Sequence, residues 1–318
     1  MESKYNLHSL SCIAFFLLLN IFQADVINAR AVHPPHQHDV TKKNPQTLDY
    51  LKNLVGTRKG NTAKGLSHLK GYLSNLGYMN IDSIIAKPSP EQNNDSFDEN
   101  LELAVRAYQS FFKLKVTGVL DAATVNQMMQ PRCGVADNFS VLNQTHLMTE
   151  SPVIAKHYTF FPGKPVWWPG KTDLTYSFPA GASYDLDEGI FEATGLWNNN
   201  SIFKFAYIKD YDKADVKISF QVWDHGDRAP FDGPGGVLAH AFAPTDGRLH
   251  FDGSEKWVDG VKDGAFDVQS VGLHELGHIL GLGHSADANA VMWPTFQTKQ
   301  RKGLGQDDID GIKALYPS

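Results

Sequence analysis

Three histidines near the end of the chain have the spacing of a catalytic metal site. His274 and His278 are four residues apart, so a helix would place both imidazoles on one face. Gly281 and Gly283 favour the end of that helix, and the turn that follows can bring His284 to the same ion. Three protein ligands leave a fourth position for water, which is typical of a catalytic rather than a structural zinc.

A carboxylate follows the first of these histidines. Bound zinc lowers the pKa of water to about 7 and polarises a scissile carbonyl. Glu275 neighbours a ligand but points in another direction along the helix, so it can take the proton of that water and pass it to the departing amine. The pattern predicts hydrolysis of peptide bonds with Glu275 as general base. The alternative is a buried helix with these polar residues by accident, which the glycine and third histidine at fixed spacing disfavour.

One thiol is of interest beside this site. Cys12 lies within an apolar stretch expected to be removed on export, so Cys133 has no partner for an internal disulfide. Such a thiol pairs between molecules, stays free or binds a metal. Zinc prefers thiolate sulfur, so Cys133 can fill the fourth position and exclude water, while Arg132 and Asp137 can brace its loop as an ion pair. A buried inert thiol is the alternative.

These motifs resemble those of one protein family. The run from His274 to His284 is similar to the metzincin pattern HExxHxxGxxH, and the serine that follows it resembles the matrixin branch, the matrix metalloproteinases. Met292, in the run AVMWP, corresponds to the family's Met-turn beneath the metal, with Trp293 where tyrosine is more common. Residues 131–137 resemble the family's cysteine switch PRCGVPD, with alanine in place of the second proline.

The resemblance implies a function and further sites. We expect a secreted zinc endopeptidase made as a zymogen, in which Cys133 is bound to the catalytic zinc until the propeptide is removed. Residues 294–303 correspond to the wall of the family's S1′ pocket, which prefers large apolar side chains. The layout of the chain and the loop at 243–249 resemble the plant secreted members most closely. A secreted binding module that kept the zinc fold but lost hydrolysis is the competing class, and the intact glutamate argues against it.

A stretch rich in glycine, aspartate and histidine, residues 224–256, shows little periodicity and is predicted to be a long loop that needs something to order it. Loosely spaced histidines are more often surface residues, but this stretch closely resembles the matrixin structural-zinc loop. The resemblance implies zinc ligands at His225, Asp227, His240 and His250. It also implies a calcium site at Asp232, Gly233, Gly235, Val237, Asp252 and Glu255.

A second family calcium would use Asp215. The segment between the third and fourth structural ligands is shorter here and lacks the family's Gly-Gly-Asp stretch, which argues against that ion. The expected cofactors are therefore two zinc ions per chain, one catalytic and one structural, together with calcium.

Helical patterns precede the switch. Apolar residues recur at spacings of three and four from Leu66 to Leu76 and again from Leu101 to Phe112, and Asp121 is suited to cap a third helix. Residues 48–130 thus predict a small helical bundle, which resembles the peptidoglycan-binding-like fold found before matrixin catalytic domains. That resemblance implies an inhibitory prodomain; sugar binding is the less favoured alternative.

Strand patterns begin after residue 158. Residues 174–178 and 216–220 alternate as strands do, while residues 186–197, 268–282 and 307–315 have helical spacing. Because strands and helices do not alternate regularly, we expect an α+β domain with a mixed sheet. The resemblance implies that it is a metzincin-type catalytic domain over residues 158–318.

The N-terminus predicts export. Lys4 precedes an apolar core from Leu10 to Phe22, which is too short to span a bilayer, so residues 1–29 predict a signal peptide rather than an uncleaved anchor. Residues 30–157 would be the propeptide. It starts with a His- and Pro-rich stretch, which predicts a flexible segment that is processed rather than a metal-binding site. It ends in an exposed connector after the switch, of the kind that proteases cut. Acceptors for N-glycosylation occur at Asn94, Asn138, Asn143 and Asn199.

Composition limits the remaining classes. The 318 residues predict about two domains, and 42% hydrophobic with 20% charged residues is typical of globular proteins. A formal net charge of −6 without a basic stripe excludes nucleic acid as an expected partner. We therefore expect a monomer that cleaves proteins or peptides in the extracellular space, matrix or cell wall, with another protease as a possible activator.

Overall fold

The computed structural model describes residues 48–79, 95–137, 156–182 and 187–317. These residues belong to the larger of two compact units, Asn44–Ser318. The predicted signal peptide, the His- and Pro-rich stretch and the acceptors Asn94, Asn138 and Asn143 lie outside the described residues. Within the described ranges, no helix combines the length and apolarity that crossing a membrane requires.

The N-terminal part is helical and has its own core. The apolar stripes predicted from the sequence are buried against each other, with Leu69 and Leu73 in one cluster with Val105 and Tyr108. The Asp121 carboxylate accepts a hydrogen bond from the Thr124 backbone N–H at 2.8 Å, so the predicted cap is present. The elements are a 3₁₀ helix Leu48–Leu54, α1 Leu66–Asn75, α2 Glu99–Phe111 and α3 Ala122–Met128.

The C-terminal part is built on a six-stranded mixed sheet, which confirms the predicted α+β class. Its strands are β1 Arg132–Cys133, β2 Asp173–Ser177, β3 Lys204–Tyr207, β4 Val216–Gln221, β5 Val237–Ala241 and β6 Arg248–Asp252. The spatial order is β1-β5-β6-β4-β2-β3, in which only β5 and β6 are antiparallel neighbours. A second sheet pairs β7 Trp257–Val258 with β8 Phe266–Asp267.

Three α-helices accompany the sheet: α4 Asp187–Asn200, α5 Val268–Ile279 and α6 Gln306–Leu315. Every residue of α5 is buried, and α5 packs closely on α4 because glycine leaves room between them. A Cβ at Gly272 would lie 2.6 Å from the Ile190 Cδ1. The Trp197 indole N–H donates to the Leu273 carbonyl oxygen at 2.9 Å, which fixes the two helices in register.

The prediction of a structureless loop over residues 224–256 is wrong in part. Strands β5 and β6 lie within it, and four of the five residues in each strand are buried. Both strands have neighbours on each side and carry buried side chains on both faces, so the alternation that reveals a half-exposed strand is absent. Glycine and aspartate between the strands further obscured the pattern.

Candidate metal centre

The three histidines of the first motif converge at the end of α5. The Nε2 atoms of His274 and His278, one turn apart, are separated by 3.1 Å. Gly281 has a φ of 100°, a left-handed conformation that ends the helix and reverses the chain. The His284 ring returns to within 5.1 and 4.9 Å of the other two ring centroids. The structure therefore brings together the three histidines, His274, His278 and His284, that the sequence predicts as ligands of one metal ion.

Cys133 reaches the same point from the switch segment. Its Sγ lies 3.4 Å from the His278 Nε2. The four ligand atoms of Cys133, His274, His278 and His284 all lie within 4.8 Å of one another, and all four residues are fully buried. A tetrahedral zinc, with bonds of about 2.0–2.3 Å, would place its ligand atoms about 3.3–3.6 Å apart. The spacing of the four donors is close to this requirement.

Hydrogen bonds behind the rings fix the tautomers. The Nδ1 of His274 is 2.7 Å from the Val291 carbonyl oxygen, and that of His278 is 2.8 Å from the Leu282 carbonyl oxygen. A carbonyl oxygen only accepts, so each Nδ1 carries the proton and each Nε2 presents a lone pair. Two lone pairs at 3.1 Å repel unless a cation lies between them. Burial lowers the pKa of both rings, which keeps them neutral as metal ligands must be.

The switch segment is bound by backbone hydrogen bonds on both of its sides. The Arg132 N–H donates to the Gly236 carbonyl oxygen at 2.7 Å, next to β5. On the other side the Cys133 N–H donates to the Pro294 carbonyl oxygen at 2.9 Å, and the Phe296 N–H to that of Pro131 at 2.9 Å. The segment is thus held between β5 and the residues that follow the Met-turn.

A buried ion pair closes the switch loop. The Asp137 carboxylate accepts from both terminal nitrogens of Arg132, at 2.5 and 3.1 Å, and from the Tyr78 hydroxyl at 2.8 Å. Its Oδ1 also lies 2.8 Å from the Nδ1 of His284. Burial acts to raise the pKa of Asp137, but Arg132 and His284 outweigh it and hold this pKa at about 2. The Arg132–Asp137 pair agrees with the sequence prediction, whereas no sequence pattern indicates that Asp137 also contacts Tyr78 and His284.

The Glu275 carboxyl is buried on α5, the helix that carries His274 and His278. The residue is fully buried, and neither of its oxygens has a hydrogen-bond partner among the described residues. Burial raises its pKa to about 8. Burial also raises the pKa of the Cys133 thiol, and the neighbouring Glu275 charge adds to that effect. A buried carboxylate with two unused acceptors beside three imidazole lone pairs is suited to receive a proton from a molecule bound there.

The Met-turn lies directly beneath α5. A Cβ at Gly277 would overlap the Met292 Sδ, so glycine is required between the two histidines for this contact. The Asp308 carboxylate of α6 accepts from the backbone N–H groups of Val291 and Met292, at 2.8 and 3.0 Å. Asp308 therefore holds the turn that in turn orients His274. No local sequence pattern links α6 to this turn, so the role of Asp308 was not predictable from the sequence.

The second histidine cluster is formed by β5, β6 and the loop before them. The Asp227 Oδ2 lies 2.8, 2.7 and 2.9 Å from nitrogens of His225, His240 and His250. His240 and His250 are directly opposed in the antiparallel pair. The four ligand atoms lie within 4.8 Å of one another. Since all four positions of a tetrahedral ion would be filled by protein, this set fits a structural rather than a catalytic zinc.

Three carboxylates surround the turn between the loop and β5. Asp232 accepts from the Val237 N–H at 3.0 Å, Glu255 accepts from the Gly235 N–H at 2.5 Å, and one Asp252 oxygen is buried with no hydrogen bond to the described part of the chain. Burial raises the pKa of Asp232 and of Glu255 to about 7 each, and the Asp252 charge adds to both shifts. Clustered buried carboxylates are the ligands that calcium prefers. Gly233, with a φ of 83°, lies in the same turn.

Asp215 is engaged differently from the other predicted calcium ligands. Its Oδ2 accepts from the Lys171 ammonium at 2.9 Å and from the backbone and hydroxyl of Thr175 at 2.8 and 2.9 Å. A cation at this oxygen would have to compete with the lysine. The structure therefore brings Asp215 into an ion pair and not into a cluster of oxygen ligands.

The predicted pocket wall begins beside the metal-binding rings. The Phe296 ring is buried, with its centroid 5.1 Å from that of His274. At the far end Arg301 is bonded to Asp267 at 2.8 Å and to Glu192 at 3.0 Å. The wall is thus fixed at both ends, with exposed residues between them. Asn199, the one predicted glycosylation acceptor in the described ranges, is exposed on α4.

Comparisons with known proteins identify relatives of both parts of the chain. The profile of the matrixin peptidases matches residues 167–317, and that of a peptidoglycan binding domain matches residues 62–128. Metalloendoproteinase 1 of Glycine max is 44% identical over 266 residues, which cover 81% of this chain and 83% of that protein. Metalloendoproteinase 1-MMP of Arabidopsis thaliana is 40% identical, covering 84% and 72%. Interstitial collagenase of Bos taurus is 39% identical, covering 78% of this chain and 48% of its own length.

Proposed function

The chain belongs to the matrixin family of zinc metalloendopeptidases, and from this membership we propose that it is a secreted zymogen whose active site is closed by Cys133. The convergence of Cys133, His274, His278 and His284 within 4.8 Å carries the proposal. Three of these residues come from the catalytic part and one from the segment before it. Such a set joins a catalytic centre to its own inhibitor.

The proposed chemistry divides between ion and protein. His274, His278 and His284 would hold a zinc ion, which would supply a Lewis acid able to polarise the scissile carbonyl and to lower the pKa of a bound water to about 7. Glu275 acts as general base: one of its two carboxylate oxygens accepts a proton from the attacking water and then passes it to the leaving amine. The hydrogen bonds from the Nδ1 atoms of His274 and His278 to backbone carbonyl oxygens keep both rings oriented during the reaction.

Latency has two physical components in this proposal. The Cys133 sulfur occupies the fourth ligand position, which denies it to water. The switch segment, held by backbone hydrogen bonds on both of its sides, covers the groove between β5 and residues 294–296, where an extended substrate would pair. Removal of the residues before about 158 frees both the fourth ligand position and the groove, and another protease can perform that cut.

The remaining ions are proposed as structural. His225, Asp227, His240 and His250 would hold a second zinc, and Asp232, Asp252 and Glu255 with the carbonyls of the turn would hold one calcium. The Lys171 contact supports leaving Asp215 out of a second calcium site. Metal analysis of the purified precursor tests this: we expect two zinc ions per chain, and calcium binding that Glu255→Gln weakens. One zinc, or calcium binding indifferent to Glu255→Gln, contradicts it.

Export, glycosylation and the domain limits complete the proposal. We place the signal peptide at residues 1–29, the propeptide at 30–157 and the catalytic domain at 158–318. The substrates would be extracellular proteins or peptides with large apolar side chains for the pocket beside Phe296. Terminal sequencing and glycan analysis of the exported protein test this assignment; retention of the first 29 residues would contradict it.

A single substitution tests the central chemistry. Glu275→Gln, in the proteolytically activated protein, should lower peptide hydrolysis by at least about 100-fold while both zinc ions stay bound. The matched control is Glu188→Gln, an exposed position on α4, which should leave turnover unchanged. Turnover by the Glu275→Gln enzyme, or turnover by the wild type after zinc is removed, would overturn the proposal.

A further inference from the structure

The three histidines differ in what holds their second ring nitrogen. The Nδ1 atoms of His274 and His278 donate to backbone carbonyls of the catalytic part, Val291 and Leu282. His284 instead bonds a carboxylate, the Oδ1 of Asp137, at 2.8 Å. Asp137 lies in the switch segment, 147 residues earlier in the chain. One of the three rings is therefore oriented by a residue that departs with the propeptide.

The Asp137 carboxylate is held in a fixed orientation towards the His284 ring. It is 1% exposed and is oriented by two nitrogens of Arg132 and by the Tyr78 hydroxyl. The Asp137 backbone N–H also donates to the Leu76 carbonyl oxygen at 3.1 Å, at the end of α1. These contacts come from the propeptide itself, so the prodomain delivers a preoriented carboxylate to the His284 ring.

A carboxylate behind an imidazole changes the metal as well as the ring. It fixes the tautomer and makes the opposite nitrogen a stronger donor, and such outer partners typically contribute about 10–100-fold to metal affinity. The His284 Nε2 is buried and makes no hydrogen bond within the described ranges, so its lone pair is free for an ion. Stronger donation from this nitrogen also makes the ion a weaker Lewis acid.

We propose that Asp137 is a positioning residue that tightens zinc binding through His284, so that the propeptide is a metal-retaining element in addition to an inhibitor. This inference rests on the proposed zinc ligands. It assigns the propeptide two separate contributions to the same ion, the Cys133 sulfur as a direct ligand and the Asp137 carboxylate behind a ligand. The zymogen then binds its zinc more tightly than the mature enzyme does, and zinc is best acquired before activation.

The two contributions can be separated in the full-length zymogen. Cys133→Ser serves as the background, because it removes the direct sulfur ligand. In that background, Asp137→Asn should weaken zinc affinity about 10–100-fold in competition with a chelator. Tyr78→Phe is the matched control: it removes one donor to Asp137 but leaves the bond to His284, so zinc affinity should stay within about twofold. Equal zinc affinity with aspartate and asparagine at position 137, in folded proteins, would overturn the inference.

A second measurement avoids the risk that the Asp137→Asn substitution removes the counter-charge of Arg132 and unfolds the zymogen. In the unaltered zinc-loaded zymogen, the His284 ring N–H should exchange slowly with water and give the most deshielded imidazole proton of the three ligands. That signal should vanish after propeptide removal, whereas the signals of His274 and His278 persist. A His284 proton that exchanges as fast in the zymogen as in the mature enzyme would overturn the inference. A wild-type zymogen without zinc at these histidines would instead refute the proposed function.

Discussion

The indole of Trp293 stacks on the ring of Phe111, with centroids 6.2 Å apart and planes inclined by 14°. Phe112 meets the same indole edge-on at 5.2 Å. The Trp293 Nε1 donates to the Thr295 hydroxyl at 2.8 Å, which fixes the ring on the segment that pairs with the switch. This aromatic contact joins helix α2 of the proposed prodomain to the residue that directly precedes the predicted pocket wall, 294–303.

Loss of the stack between Phe111 and Trp293 should increase the fraction of the zymogen in which the active site is open. An aromatic pair contributes about 0.5–1.5 kcal/mol beyond its area, so Phe111→Ala should raise the open fraction of the zymogen about two- to tenfold. Both the basal peptidase activity of the precursor and the rate at which a thiol reagent labels Cys133 measure that fraction. Phe191→Ala, on the exposed face of α4, makes the same chemical change at a side chain that is 68% exposed and should alter neither quantity. A folded Phe111→Ala precursor labelled no faster than the wild type would contradict the prediction.

Replacement of the switch thiol should activate the precursor only in part. Cys133→Ser removes the sulfur ligand but keeps the backbone bonds to Gly236 and Pro294 and the Arg132–Asp137 pair. We therefore expect peptidase activity above that of the wild-type precursor but well below that of the processed enzyme. After processing, the two proteins should be equally active, which is the internal control. A Cys133→Ser precursor with no gain in activity would show that the thiol is not what inhibits the site.

The second histidine cluster should matter for stability more than for chemistry. Asp227→Asn replaces the one carboxylate among the four proposed ligands with a neutral amide, so one of two bound zinc ions should be lost and the melting temperature should fall by several degrees. Asp224→Asn, an exposed position earlier in the same loop, is the matched control and should bind both ions. Retention of both zinc ions and of wild-type stability by Asp227→Asn would show that this cluster is not a metal site.

The prodomain should lose stability in acid through Asp95. Its carboxylate caps α1 by accepting from the backbone N–H groups of Gly65 and Ser67, at 3.2 and 3.0 Å, and the Ser67 contacts lower its pKa. Because the folded pKa is depressed, the contribution is present above the unfolded value of about 3.9 and is lost as pH falls through the folded value. Asp95→Ala should cost about 0.5–2 kcal/mol at neutral pH and less in acid.

Denaturant unfolding of the precursor across this pH range measures the effect. Asp49→Ala, in the exposed ion pair with Lys52, provides a comparison without a helix cap and should change stability little at any pH. An Asp95→Ala cost that stays constant down to the lowest pH would contradict the assigned role.

The parts of the fold that follow from helical periodicity or from a sequence motif were predictable from the sequence. The i, i+4 spacing of His274 and His278 placed both on one face of α5, and Gly281 marked the reversal that returns His284. The stripe from Leu101 to Phe112 likewise identified α2 and its buried face. In each case the information lies within one helix or in the turn directly after it, because a regular helix converts residue spacing directly into direction.

Contacts between distant segments were not predictable in the same way. Strand β1 is two residues long and exists only because β5 offers it an edge, so no local pattern marks it. The bond from Asp95 to the Ser67 N–H spans 28 residues, and the Asp137–His284 bond spans 147. Strands β5 and β6 were hidden because burial on both faces removes the alternation that a single sequence displays.

The short strand β1 has a consequence for the enzyme after activation. While the switch is in place, it covers the outer edge of β5 with only a few backbone bonds, including those to Gly236 and Ala239. Once it leaves, β5 presents an unpaired row of carbonyl and N–H groups, which is a template for any extended chain, including another copy of the enzyme. In the proposed zymogen the propeptide would therefore also act as a solubility cap, and we expect self-association that grows with enzyme concentration only when this edge is bared.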